Sequence, residues 1–395
     1  MWWIIASASA FASVAWLLLL REQRRVRADG LELSPEPATP GADVPSMCVI
    51  VPVRNAAPAL QRCVSALLAQ DHPGLSIVIV DDRSDDDTAA VAGALARDHD
   101  RVSTVRIDAV PPGWLGKSHA LWAGSQSTVA EWLLFVDDDC VLHPAAARTA
   151  VAEATRRSAD LLSLWPRHDG RTLWERLLIP LCGGIIAIWF ARDQGRGDGG
   201  FANGQFLLIR RDAYARIGGH RSVRSALIED VALAARAREF GLISFVGSGR
   251  ALLSVRMYDG LRSTFDGWSR IFIGALNNPA KLLASVLWLL FGSLLPYIAL
   301  PVLLACLVSQ GGLHASQTVA LALALLHLAL QVTVSVRFWG MGGCDRRALW
   351  GYPLAVVIVT AMLVRALYVL LVSRRVRWRA TMYTIDGRAR IVPRA

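Results

Sequence analysis

Three consecutive aspartates, Asp137, Asp138 and Asp139, end the apolar run Trp132-Leu133-Leu134-Phe135-Val136. Carboxylates clustered at the end of a buried strand can offer hard oxygen ligands to Mg²⁺ or Mn²⁺. Such ions commonly take one or two of these ligands together with substrate phosphates. A second pair, Asp81-Asp82, ends an earlier apolar run, Ile77-Val78-Ile79-Val80. Open α/β sheets bind ligands outside the carboxyl ends of their strands. Two acidic strand ends therefore point to one site for a metal-bound, phosphorylated ligand. Polar turns after buried strands would explain either pair alone, since Asp is a common turn residue. The segment Pro111-Pro112-Gly113-Trp114-Leu115-Gly116-Lys117 is a compact turn, and Lys117 stands where a helix begins. A helix N-terminus and an ammonium both favour a phosphate; the alternative is a solvated surface lysine. Glu229-Asp230 precedes the helical stretch Val231–Glu239, where Asp would serve as an N-cap.

These residues sit in a chain of 395 residues that is 54% hydrophobic and 19% charged, oilier than an ordinary soluble domain. Residues 2–20 carry no charge, residues 282–336 carry none apart from neutral His314 and His327, and residues 353–373 carry Arg365 alone. About 20 apolar residues span a bilayer as a helix, so the chain reads as an integral membrane protein with a polar middle. The first segment lacks a basic residue before its apolar stretch and is followed by Arg21, Arg24, Arg25 and Arg27, unlike a cleaved signal peptide. The positive-inside rule then puts the N-terminus outside a bacterial-type inner or plasma membrane and the catalytic region in the cytoplasm. The net charge of +10 is concentrated beside membrane segments, at Arg21–Arg27 and at Arg374, Arg375, Arg377 and Arg379. Anionic headgroups account for it, and no nucleic-acid partner is expected. The six cysteines form no CxxC pair and read as reduced, small apolar fillers.

The elements that must position the acids follow from pattern. Residues 1–27 form an anchor with a basic flank, 28–45 a Pro/Gly-containing linker, and 46–260 a globular domain. Strands are expected at Met47–Val53, Ser76–Val80, Ser103–Ile107, Trp132–Val136, Leu161–Trp165, Gln205–Ile209 and Ile243–Val246. Leu60, Cys63, Val64, Leu67 and Leu68 fall on one helical face. The alternation argues for an α/β fold with a mostly parallel sheet covered by helices. Leu173–Phe190 is apolar enough for a span, but a single crossing would part Asp230 from Asp137, so an interfacial helix is expected. Residues 261–281 read as a second interfacial helix. Residues 282–373 hold two or three spans: Leu282–Val308, kinked at Pro296 and Pro301, Ser316–Val336, and Pro353–Ser373. The last carries Arg365, which is costly in a bilayer unless paired. A basic tail, 374–395, follows.

The order of these motifs resembles glycosyltransferase family 2, in its membrane-bound branch with a GT-A fold, a Rossmann-like and mostly parallel mixed sheet. The resemblance covers roughly residues 46–268. The Pro111–Leu121 segment is similar to members acting on ceramide, carotenoid or hopanoid-type lipids. The family resemblance implies that Pro52 in the first strand and Arg54 and Asn55 after it, with Asp81 and Asp82, hold the nucleoside. Asp137 and Asp139 match the two D positions of a DxD motif and would bind Mg²⁺ or Mn²⁺, with Asp138 and Lys117 beside the donor. Asp230 matches the general base, with Glu229 before it. Phe201-Ala202-Asn203-Gly204-Gln205 and Ile217-Gly218-Gly219-His220 are similar to the same branch. There Gly204 and Gln205 would meet sugar or acceptor, while His220 reads as a plain loop histidine. The family's QxxRW motif is not kept: the stretch reads Thr264-Phe265-Asp266-Gly267-Trp268-Ser269-Arg270. Trp268 is left to cap the acceptor and Arg270 to bind phosphate. That loss weighs against a polysaccharide synthase. It favours transfer of one sugar from a UDP- or GDP-sugar to a lipid, with inversion. A polymer synthase, a polyprenyl-phosphate transferase and a non-catalytic nucleotide-binding scaffold are the alternatives.

Overall fold

The computed structural model describes residues 1–28, 31–37, 44–190, 200–378 and 381–392. Residues 29–30 and 38–43 of the expected linker, and Arg379 of the basic tail, lie outside the described residues, as does the side chain of Arg27. The chain divides into two compact units. One comprises Gly30–Asp169, Trp189–Met257 and Arg374–Ala395; the other comprises Met1–Asp29, Gly170–Ile188 and Tyr258–Ser373.

The first unit is built on β1 (Met47–Val53), β2 (Leu75–Asp82), β3 (Val102–Ile107), β4 (Trp132–Phe135), β6 (Leu161–Trp165), β8 (Leu207–Arg210) and β9 (Ser244–Ser248), β5 and β7 belonging to a smaller sheet. Their order is β3-β2-β1-β4-β8-β6-β9. The pairs β3-β2, β2-β1, β1-β4 and β6-β9 are parallel, and β8 runs antiparallel to β4 and β6. This is the α/β, GT-A arrangement. Every residue of β1 is buried, as a strand covered on both faces requires. The helix Ala57–Leu68 buries Leu60, Cys63, Val64 and Leu67, the face its spacing predicts. The helix Gly116–Gln126 lies close on β1 and β2. A Cβ at Gly124 would come within 2.6 Å of Ile50 and 2.8 Å of Val80, so glycine permits the approach that delivers Lys117 to the strand ends.

The smaller sheet, β5 (Cys140–Leu142), β10 (Leu253–Val255) and β7 (Arg167–His168), is ordered β5-β10-β7. β5 begins directly after the three aspartates. Strands of this length show no periodicity, and none was expected. A C-terminal hairpin, β11 (Arg375–Trp378) and β12 (Thr381–Thr384), completes the unit.

Among the described residues, five helices are long and apolar enough to cross a membrane: Trp2–Arg25, Leu173–Phe190, Pro279–Gln310, Ala315–Met341 and Arg346–Ser373. In Pro279–Gln310 the α-helical ladder gives way to a π-helical stretch, Trp288–Leu294, just before Pro296. Pro296 has no N–H for the Gly292 carbonyl. That carbonyl instead accepts from the Trp16 indole at 2.7 Å and from His327 Nε2 at 2.9 Å, while Ser293 O accepts from Gln331 Nε2 at 3.0 Å. The proline break is thus repaired by side chains of two other helices, as buried backbone groups require. Pro301 sits inside the helix Leu295–Gln310. Arg365 pairs with Asp266 on the helix Leu261–Leu276 and lies over the Phe265 ring, which supplies the partner its position demands.

His327→Leu and Trp16→Phe should each cost about 1 kcal/mol, the scale of interhelical hydrogen bonds in membrane proteins. The double variant should lose more than their sum, because Gly292 O then has neither donor. Thermal unfolding in detergent checks this; additive losses would show that the two bonds are not alternatives at one carbonyl.

Candidate active site

The site lies in the sheet unit, at the carboxyl ends of β1, β2 and β4. After β1, Asn55 adopts φ 53°, a left-handed conformation that Asn tolerates. Its N–H donates to Ser84 Oγ and its Oδ1 accepts from the Asp85 N–H, both at 3.0 Å. Asn55 therefore ties the loop after β1 to the loop after β2. Asp81 is 4% exposed. Its Oδ1 accepts the Ser84 N–H at 3.0 Å, while Oδ2 is buried without a hydrogen-bond partner among the described residues. A buried acceptor of this kind calls for a donor from a ligand. Asp82 pairs with Arg83 at 2.8 Å and abuts Gly116, where any Cβ would strike its carboxylate.

Lys117, in the first turn of Gly116–Gln126, joins the strand ends. Its Nζ lies 2.7 Å from Asp137 Oδ1 and 2.8 Å from Glu229 Oε1. Burial alone would lower the ammonium's pKa, but Asp137, Glu229 and Asp230 outweigh it and hold Lys117 well above its ordinary value. Glu229 is held below the usual carboxylate range: burial works to raise it, and Lys117 overcomes that. Asp230 takes the opposite course. Burial first, then the Glu229 charge, push its carboxyl up to about 7 against the pull of Lys117. Its Oδ2 accepts the Gly204 N–H and its Oδ1 accepts the Val231 N–H at 2.7 Å. A Cβ at Gly204 would lie 2.8 Å from Asp230 Oδ2, so the glycine is needed for this contact. The helix begins at Glu229, with Ile228 as its N-cap. Asp230 is thus not the cap that the sequence allowed, but the second helical residue.

Asp139 is half-buried, and its Oδ1 accepts from Cys140 Sγ at 3.7 Å. Burial, then Asp137, then Asp138 push its carboxyl well above the usual range. Among the described residues, no three His, Cys, Asp or Glu side chains form a ready metal cage. The donor set is instead the sparse, all-oxygen kind that Mg²⁺ and Mn²⁺ complete with water and phosphate.

Residues 48–218 match the family described as glycosyl transferase family 2. The 4,4'-diaponeurosporenoate glycosyltransferase of Staphylococcus haemolyticus (strain JCSC1435) is 26% identical over 259 residues, 63% of this chain and 67% of that protein. Its counterpart in Staphylococcus aureus (strain MRSA252) is 26% identical over 264 residues, 65% of this chain and 68% of that protein. The protein is a glycosyltransferase. The fold agrees. A mannosyltransferase from Pyrobaculum calidifontis, solved with GDP-Man and Mn²⁺, superposes with a TM-score of 0.57 at 16% identity over 94% of this chain and 99% of that one.

Other expected site residues of the glycosyltransferase are placed as follows. Pro52 lies in β1 opposite Val80, and Arg54 follows the strand. Gln205 Oε1 accepts from Asn203 Nδ2 at 3.2 Å, and its carbonyl accepts from Cys140 Sγ at 3.4 Å. Trp268 and Arg270 lie on the helix Leu261–Leu276 of the helical unit, with Trp268 against Phe272. His220 is no loop histidine. It is buried, its Nδ1 lies 2.8 Å from Tyr214 Oη, and its ring meets the Phe135 ring edge-on at 4.7 Å. Burial lowers its pKa to about 4, so it is neutral and packs beneath the acids. Glu229 as partner of Lys117, and Gly204 as anchor of Asp230, were the contacts least visible in sequence. The glycine among polar residues was their one signal.

Lys117→Met should destabilise the protein by about 3 kcal/mol, at the lower end for removing one partner of a buried pair, because Asp137 and Glu229 are left facing one another. Adding Glu229→Gln should recover part of that loss. Thermal melts of the two variants decide it; an uncoupled, additive pair would contradict the bridge.

Proposed function

We propose that this glycosyltransferase moves one sugar from a UDP- or GDP-sugar to a hydroxyl or carboxyl group of an apolar lipid, with inversion at the anomeric carbon. The observation that carries the reading is the half-buried Asp230 carboxyl, raised to about 7 and fixed by the Gly204 N–H beside the Lys117–Glu229–Asp137 cluster. A general base works best when its pKa lies near the operating pH. Asp230 accepts the acceptor's proton as its oxygen attacks. Lys117, freed from one carboxylate, meets the diphosphate. Asn55, Asp81 and Asp82 with Pro52 and Arg54 bound the nucleoside pocket, and Asp81 Oδ2 takes a donor from base or ribose. Asp137 and Asp139, with Asp138 beside them, would hold Mg²⁺ or Mn²⁺, which when bound supplies charge stabilisation to the leaving diphosphate. Glu229 and Gly204 set the charge and position of Asp230, and Gln205, Trp268 and Arg270 serve the acceptor or phosphate side. The carotenoid-acid glycosyltransferases at 26% identity support a lipid acceptor, and the mannosyltransferase solved with GDP-Man and Mn²⁺ agrees with the donor class.

The membrane plan belongs to the same reading: an anchor at 1–27, the sheet unit in the cytoplasm, an interfacial helix near 261–281 and spans within 282–373. The five long apolar helices support attachment to a bilayer.

Purified protein is offered labelled nucleotide sugars, Mn²⁺ or Mg²⁺, and a total lipid extract. Label should enter one organic-extractable lipid and be lost with Asp139→Ala. Label in aqueous polymer would point to a synthase instead, and donor binding without any transfer to a scaffold. Asp230→Asn should lower kcat by roughly 10²–10⁴-fold with donor binding intact; near-normal turnover would remove Asp230 from its role.

Because the base must be ionised, turnover should rise as pH passes through about 7. In Glu229→Gln the like charge that raises Asp230 is gone, so the rise should move to lower pH. A pH–rate profile of both proteins checks this, and an unmoved limb would assign the ionisation elsewhere.

A further inference from the structure

The last described residues, beyond the hairpin β11–β12, do not trail into solvent. Ile385 and Ala389 are each 2% exposed and Ile391 8%. The segment is internally braced. Asp386 Oδ1 accepts the N–H groups of Arg388 and Arg390 at 2.8 and 2.9 Å, and its own N–H donates to Arg390 O at 2.9 Å. Val392 N–H donates to Thr384 O at 2.9 Å and Ile385 N–H to Arg374 O at 2.8 Å, so it is continuous with the hairpin. Its outer edge is laid along residues 225–227. Ile391 N–H donates to Ser225 O at 2.8 Å, Leu227 N–H donates to Ala389 O at 3.2 Å, and Ala226 pairs antiparallel with Arg390. The neighbouring residue, Arg224, accepts the Leu115 N–H at 2.9 Å, two positions before Lys117. The segment 224–227 is therefore gripped from one side by the Lys117 turn and from the other by the tail. It runs directly into Ile228 and the first helical turn, Glu229-Asp230.

We propose that Ile385–Val392 is a positioning strap that sets the placement of Glu229 and Asp230 against Lys117. The proposal rests on Asp230 being the base. Backbone pairing is a stiff way to hold a catalytic turn, and a misplacement of about 1 Å can cost 10²-fold in rate. A consequence concerns the membrane. The described residues of 374–392 belong to the same compact unit as the sheet, so they lie on the catalytic side. The chain between Tyr258 and Ser373 leaves that unit and returns to it, so its full crossings are even in number. At most two of the helices Pro279–Gln310, Ala315–Met341 and Arg346–Ser373 then cross completely. By the same parity, Leu173–Phe190, which leaves from and returns to the sheet unit, makes no single crossing.

The test uses the full-length protein in native membranes. Ala226→Cys/Arg390→Cys should form a disulfide on mild oxidation, read by mass spectrometry of the linked peptides, with kcat retained. Ile391→Pro, which deletes the donor to Ser225 O, should lower kcat about tenfold and leave the donor KM within about twofold. Adding the cysteine pair and oxidising should restore the rate. Absence of the crosslink overturns the strap and the sidedness together. A crosslink with kcat untouched by Ile391→Pro, or a loss the crosslink does not restore, overturns positioning. These outcomes are separable from failure of the base itself, which Asp230→Asn reports whether or not the tail is docked.

Discussion

One ammonium organises the catalytic half of this molecule. Lys117 is largely withdrawn from water, and desolvation works against its charge. It stays charged because Asp137 from the end of β4 and Glu229 from the start of a distant helix reach it at 2.7 and 2.8 Å. A buried charge is tolerable only when its partners are placed well. That requirement propagates outward. The helix Gly116–Gln126 must lie almost in contact with β1 and β2, which Gly124 allows, and Gly116 must be bare where it meets Asp82. The loop 224–227 must be tied back to Leu115 so that Glu229 can arrive.

The same cluster divides labour between two adjacent acids. Glu229 touches Lys117 and is held ionised, while Asp230 is half-buried, turned toward Gly204 and raised to about 7. Neighbouring carboxylates whose environments push them apart are a recurring way for one site to hold a fixed charge and a titratable base. The environment does the separating: a cation faces one acid and a backbone N–H the other.

Much of the sheet was legible because its central strands are buried on both faces and read as continuous apolar runs, as at Met47–Val53 and Ile77–Val80. The acids stood out for a related reason: two separate runs both end in clustered carboxylates, which a single polar turn would not explain. What sequence could not give was long-range pairing. Nothing local says that Lys117 bridges Asp137 and Glu229, that His220 is packed on Phe135 and Tyr214, or that residues near 390 lie beside residues near 226. The short strands β5, β7 and β10 are fixed by their partners rather than by periodicity. The helix start at Glu229 escaped because Ile228 caps it without a side-chain hydrogen bond, leaving Asp230 to look like the cap.

The charge balance of the site bears on its ligand. Lys117 bridges Asp137 and Glu229, and its charge also reaches Asp230 and Asp139. Two of these carboxyls, Asp139 and Asp230, are already pushed up by burial and by their neighbours, which marks a site with more negative charge than it can comfortably ionise. A nucleoside diphosphate brings still more. In the proposed function, a divalent cation at Asp137 and Asp139, where hard oxygen ligands stand together, would offset part of that charge. Lys117 can then exchange a carboxylate for a phosphate oxygen without being left unpaired. In the proposed reaction the lysine would hold the site together before the donor arrives and serve the donor afterwards.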